Sequence, residues 1–389
     1  MKVWAQPTIC HMTKILVISP SWVGDCMLMQ PMLMRLKQRY PDCRIDVFAP
    51  PWTEKLLRAM SEVHDVIINP FPHGALQLAA RYRLGKQLRA ARYDQAIVLP
   101  NSWKSALVPF FAHIPLRTGF VGESRYLLLN DARKLDKQKL PLMVERFAQF
   151  AEAPARSTPV GTTPLLRSDP SADAQGEIPR PLANPKLAIG EALRDAALLK
   201  LNTKNLCPGT RLTLDQPVAV FCPGAEYGPA KRWPAAYYAD IAQRLRQHGY
   251  AVWLVGSTKD KPVADEIDRL AGAQCINLCG RTDLGDALAL LASAQLVISN
   301  DSGLMHLAAA LDKPMLALFG SSSPQFTPPL SAQAQVVKLD IACSPCFKRE
   351  CPLGHFNCMI KLTPDFVWEK FIVPTLRVGM QPVTLRVTI

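Results

Sequence analysis

Two series of short apolar runs, each run bounded by turn residues and followed by a stretch of helical periodicity, constrain this chain more than any other feature. The first series covers 14–19, 44–49, 65–69 and 94–100; the second covers 217–222, 250–256, 275–280, 294–300 and 314–320. Apolar strands separated by amphipathic segments, such as those near 24–40 and 75–92, call for parallel strands buried on both faces with crossover helices outside. Two such series predict an α/β protein of two doubly wound halves. Between them prolines recur (Pro154, Pro159, Pro164, Pro170, Pro179, Pro181, Pro185, Pro208) among Ser, Thr and Gly, the composition of a linker or insertion, with one helix expected at 186–200. The expected boundaries are a first Rossmann-like domain at 13–153, the Pro-rich segment at 154–216 and a second Rossmann-like domain at 217–362. A C-terminal helix and tail at 363–389 is expected to pack back on the first domain. Met12 is a candidate start, since the eleven residues before it do not belong to the first strand.

At 389 residues and 49% hydrophobic, the chain has apolar material for two cores and is not disordered overall. No run of 18 apolar residues occurs and Met1 to His11 lack a signal-peptide core, so a cytoplasmic protein is expected, without a membrane span. The net charge of +13 is uneven: residues 1–155 carry +9, against +2 for 156–215 and +2 for 216–389. A basic first half suits nucleic acid, an anionic membrane surface or an acidic substrate, and charge alone does not choose among them. Eleven cysteines in such a chain are expected to be mostly reduced thiols.

Neither a P-loop nor a GxGxxG following the first strand is present, which disfavours a P-loop NTPase and a standard dinucleotide dehydrogenase. Three strand-to-helix loops carry chemistry instead. Ser19 to Asp25 follows the first strand, where open α/β sheets place ligands, and Gly24 permits close approach there. Asp25 is then either a helix N-cap or a carboxylate presented to a cleft. Pro223 to Pro234 follows the first strand of the second series; its glycines and prolines expose backbone N–H groups, and Lys231 and Arg232 suit a phosphate-bearing ligand, unless it is a plain surface loop. Asn300 to Ala310 opens a helix whose Ser302 and Gly303 amides are available to a diphosphate, and His306 lies one turn on, either facing that ligand or structural. No D-x-D pair occurs, so Lys231 and helix amides would neutralise a diphosphate.

Together the segments SPSWVGD (19–25), CPGAEYGPAKRWP (222–234), SNDSGLMHLAAAL (299–311) and FGSSSPQFTPPL (319–330) resemble those of the ADP-heptose:lipopolysaccharide heptosyltransferases, over about 14–150 and 216–330. The resemblance implies a GT-B glycosyltransferase, two Rossmann-like domains facing across a cleft, the first for the acceptor and the second for the nucleotide sugar. It implies an inverting transfer of heptose from ADP-heptose to the first heptose of the lipopolysaccharide inner core. Asp25 would be the general base, with Ser21 and Gly24 on the acceptor side, and Lys231 would contact the donor phosphates. Asp301, Ser302, Gly303 and His306 would line the donor site, with Gly224, Glu226, Tyr227 and Thr282 beside the nucleotide. With a reference pKa near 3.9, Asp25 would be a weak base and proton transfer late. The partners implied are ADP-heptose, a heptosyl-Kdo2-lipid A acceptor and the cytoplasmic face of an anionic inner membrane, without nucleic acid.

The alternatives are heptosyltransferase I or another GT-B transferase with a different sugar or acceptor. More distant is a basic RNA-binding protein, supported only by Arg81-Tyr82-Arg83 and Arg92-Tyr93, which fit solvated helix faces better. No catalytic cofactor is expected. Cys343, Cys346, Cys351 and Cys358, with His355 among them, depart from the resemblance; a structural Zn²⁺, packed thiols and a redox pair are the three readings.

Overall fold

A computed structural model of the chain describes residues 12–72, 74–152, 178–204 and 211–372. They group into two compact units, the first drawn from residues up to Leu182 and the second from Ala183 onward, except that Trp22–Leu28 and Pro141–Met143 belong with the second.

The first sheet holds β1 (Lys14–Ile18), β2 (Arg44–Ala49), β3 (Asp65–Ile68), β4 (Gln95–Val98), β5 (Leu116–Phe120) and β6 (Asp131–Arg133). They run parallel in the order β3-β2-β1-β4-β5-β6. The second holds β7 (Val218–Cys222), β8 (Ala251–Leu254), β9 (Ile276–Asn277), β10 (Leu296–Asn300), β11 (Met315–Phe319) and β12 (Ala334–Lys338), parallel in the order β12-β11-β10-β7-β8-β9. Counted within each sheet, the order is the same, and it reverses between β1 and β4 and between β7 and β10. These reversals are where doubly wound sheets leave a crevice at their carboxyl ends.

Central strands are buried throughout: Ile15, Leu16 and Val17 of β1 and Val218, Ala219 and Val220 of β7 have no exposed surface. Each large aliphatic side chain removed from water contributes about 1.5–3 kcal/mol, which is why unbroken apolar runs mark these strands. On β7 and β8 the helices Ala235–Gln247 and Lys261–Leu270 add Tyr238, Ile241, Leu245, Ala264 and Ile267 to one core.

Three strands escape the sequence pattern. β5 reads Leu-Arg-Thr-Gly-Phe, β6 has three residues, and β12 is half-exposed, so none presents a continuous apolar run. The helix expected at 186–200 is Glu191–Thr203, capped by Gly190; upstream, the Leu187 amide is held by the Ala310 carbonyl at 2.8 Å. The rest of the Pro-rich segment, 153–177 and 205–210, lies outside the described residues. The C-terminal segment can be followed as far as Ile372. The helices Pro364–Val367 and Trp368–Ile372 bury Val367 and Ile372 in the second unit's core, where apolar residues of Ala235–Gln247 receive them. Residues 373–389 lie outside the described ones. Arg81 and Tyr93 are also not on solvated faces: both are buried, Arg81 donating to the carbonyls of Ala75, Leu76 and Lys104 and Tyr93 to Asp46 at 2.7 Å. Among the described residues no helix is long and apolar enough to cross a membrane.

Candidate active site

β7 and β10 are neighbours, so the loops leaving them start from one crevice. Buried Asn300 at the end of β10 joins them: its Oδ1 accepts from the Trp233 amide and the Tyr238 hydroxyl, both at 3.1 Å, and its Nδ2 donates to the Pro223 carbonyl at 2.7 Å. The sequence reading names Asn300 only as the start of its loop and gives it no role; the available signal was a polar residue closing an apolar strand run.

With the loops fixed, Lys231 Nζ lies 2.5 Å from Asp301 Oδ2, the lysine side chain 17% exposed and the carboxylate 5%. The ammonium also lies over the Tyr227 ring at 5.1 Å, and the Arg349 guanidinium is 5.3 Å from the same ring. Past Asp301 the chain enters the helix Gly303–Ala310 with Ser302 at its N-cap, as the sequence leads one to expect.

A second helix start meets the first. The helix Val23–Arg39 begins within Trp22–Leu28, the segment grouped with the second unit. Two glycines allow the approach: a Cβ on Gly24 would lie 2.8 Å from His306 Cδ2, and one on Gly303 would lie 2.9 Å from Val23 Cβ. The positive ends of two helix dipoles therefore sit together beside Lys231, an arrangement that favours an anion.

Asp25 is the third residue of its helix, too far in to be the N-cap, so that alternative falls. Burial raises its pKa to about 6; the positive charge of Lys231 works against the rise and the negative charge of Asp301 adds to it. At neutral pH the group is mostly ionised and more basic than an ordinary aspartate, which corrects the expectation of a weak base near 3.9. His306 moves the other way: burial lowers it to about 4, Asp301 opposing and Lys231 assisting, so the imidazole is neutral at pH 7. The result is a carboxylate that titrates near neutrality, a paired ammonium and two helix N-termini in one place.

Not every nominated residue joins this cluster. Gly224 is required for a different reason, since a Cβ there would lie 2.3 Å from the Asp260 carboxyl carbon. Glu226 is exposed and pairs with Lys259. Tyr227 donates its hydroxyl to the Phe347 carbonyl at 2.8 Å. Thr282 is half-buried in the loop before the helix Leu284–Ala292. Ser21 is exposed, its carbonyl accepting from Trp52 Nε1 at 2.9 Å.

Residues 81–357 match the sequence profile of glycosyltransferase family 9 (heptosyltransferase). The chain is 46% identical to lipopolysaccharide heptosyltransferase 2 of Salmonella typhimurium over 361 residues, 92% of this chain and 97% of that protein. It is 45% identical to lipopolysaccharide heptosyltransferase 2 of Escherichia coli K12, with the same coverage. The solved structure of the E. coli ADP-heptose lps heptosyltransferase II superposes with a TM-score of 0.79 at 42% identity, covering 94% of this chain and 100% of that one. The fold is accordingly of the GT-B type, and the chain belongs to glycosyltransferase family 9, the heptosyltransferases.

Proposed function

We propose that this glycosyltransferase moves L-glycero-D-manno-heptose from ADP-heptose to the first heptose of the lipopolysaccharide inner core, with inversion at the anomeric carbon. The names of its relatives at 44–46% identity support the reaction. The observation that carries the mechanism is a half-buried carboxylate, Asp25, held ionisable near neutrality beside Lys231.

In this reading Asp25 takes the proton of the acceptor hydroxyl as its oxygen bonds to the anomeric carbon, and the bond from that carbon to the diphosphate oxygen breaks, its electron pair leaving with ADP. Lys231 and the amides of Ser302 and Gly303 neutralise the leaving diphosphate. The ammonium must be shared between Asp301 and the phosphates when donor binds. His306, neutral and packed on Gly24, keeps a second positive charge away from the base. The acceptor carries anionic sugars and lipid phosphates, which accounts for the +9 of residues 1–155 and suits peripheral attachment to the cytoplasmic face of an anionic membrane.

A single-turnover assay with ADP-heptose and a panel of truncated core acceptors tests the proposal. Transfer to the monoheptosyl acceptor, and none to the heptose-free acceptor, is expected. Preference for the heptose-free acceptor would reassign the enzyme to the earlier step, that of heptosyltransferase I.

A further inference from the structure

Behind the 226–231 loop lies the segment that departs from the family resemblance. It is bonded to that loop and to the end of β11: the Ala230 amide donates to the Arg349 carbonyl at 3.0 Å, the Phe347 amide to the Ser321 carbonyl at 2.7 Å and the Ser344 hydroxyl to the Gly320 carbonyl at 2.7 Å. Gly228 is pressed so closely that a Cβ would lie 2.4 Å from the Arg349 carbonyl oxygen. The loop that carries Lys231 therefore takes its shape partly from 343–358.

That segment surrounds a cavity of about 20 Å³ lined by Cys343, Cys346, Cys351 and Cys358, room for one small occupant. Two further observations point inward. Ser321 Oγ, on the same cavity wall, is buried and has no hydrogen-bond partner among the described residues. Cys351 Sγ accepts from the Phe356 amide at 3.4 Å, the kind of bond that favours a thiolate. His355 also lines the cavity, but its Nδ1 accepts from the Asn357 amide at 3.0 Å, leaving the four sulfurs as the matched donor set.

We propose that Cys343, Cys346, Cys351 and Cys358 bind one thiophilic divalent cation, Zn²⁺ by the softness of four sulfur donors, as a structural site that braces the donor loop. As they stand, no three of the described His, Cys, Asp and Glu side chains close a coordination sphere. Binding draws the ring of sulfurs inward to about 2.3 Å from the ion and releases the thiol protons. The ion takes no part in group transfer.

The test is metal analysis of the untagged full chain purified from zinc-replete cells under reducing conditions. About one equivalent of metal per chain is expected, lost in Cys346→Ser and Cys351→Ser and retained in Cys275→Ser, which is outside the cavity. Should the serine variants not fold, the chelator-stripped wild type decides: its Tm should fall and added Zn²⁺ should restore it. Less than a tenth of an equivalent, with no Tm response of the stripped chain to Zn²⁺, would overturn the proposal. The consequence for catalysis rests on the proposed function: stripping should raise the donor KM several-fold, with kcat at saturating donor nearly unchanged. Metal content and Tm are read without activity, so an inactive chain that holds one equivalent contradicts the function and not the site.

Discussion

At β1/β4 and at β7/β10 the strand order reverses in the same way, and the loop leaving one strand of each pair, β4 and β10, meets an enclosed cation, but the two cations are held differently. Arg125 is 2% exposed and donates to the carbonyls of Pro100 at 2.5 Å, Ser102 at 3.2 Å and Phe120 at 2.8 Å, and to the Ser105 hydroxyl at 3.2 Å. Burial pulls its pKa down to about 10, Glu123 opposing, so it stays charged at neutral pH with its donors committed to the backbone around β4 and β5. Lys231 instead has one carboxylate, Asp301, and the face of one ring. A planar fork bonded to several carbonyls shapes a loop; an ammonium with one anionic partner can exchange that partner for a phosphate. Under the proposed function, one topology thus supports a cation that builds, Arg125, and a cation that binds the donor, Lys231.

Substitutions sharpen the contrast. The largest effect should come from Arg125→Met, which strands several buried carbonyls and should cost about 3–5 kcal/mol of stability in chemical denaturation. ADP affinity of the fraction still folded should not move. Asp25→Asn should lower kcat by about 10²-fold or more with little change in ADP affinity, measured by quenched-flow and calorimetry. The same variant should be more stable than the wild type. Because the folded pKa lies above the unfolded one, Asp25 loses stabilisation as pH rises through 6, so Asn should gain of order 1–3 kcal/mol above pH 7 and nothing below about pH 4. Lys231→Ala should weaken ADP by about 1.5–3 kcal/mol in calorimetry. Pairing it with Asp301→Asn should recover stability, since the orphaned carboxylate is then neutral, but not affinity. The smallest effect concerns the basic first unit: raising salt from about 50 to 500 mM shrinks the Debye length from roughly 14 to 4 Å and should raise the acceptor KM before it weakens ADP binding. Equal sensitivity of both would remove the distinction between a long-range acceptor field and short donor contacts.

Much of this was legible in the sequence. Strands buried on both faces announce themselves as apolar runs, so β1–β4 and β7–β11 were readable, and the glycines, prolines and polar residues after β1, β7 and β10 marked the loops that matter. β5, β6 and β12 were not readable because short or mixed strands borrow their order from neighbours. At the site, residue types were readable and environments were not. Nothing in Gly24 says that a histidine ring from residue 306 rests on it, and nothing in Gly224 says that its neighbour is the Asp260 carboxylate. The balance that brings Asp25 to about 6 includes, beside burial, the charges of Lys231 and Asp301, more than two hundred positions away. The C-terminal helices show the same limit, since their apolar residues fit a core that only tertiary structure could identify.

The central claim, that a half-buried Asp25 poised near neutrality takes the acceptor proton, is tested most directly by the pH dependence of single-turnover transfer at saturating donor and acceptor. The rate should fall on the acid side with an apparent pKa of about 6, and Asp25→Asn should abolish that limb, leaving a slow rate flat between about pH 5 and 8. A wild-type limb near 4, or a limb near 6 that survives in Asp25→Asn, would contradict the account.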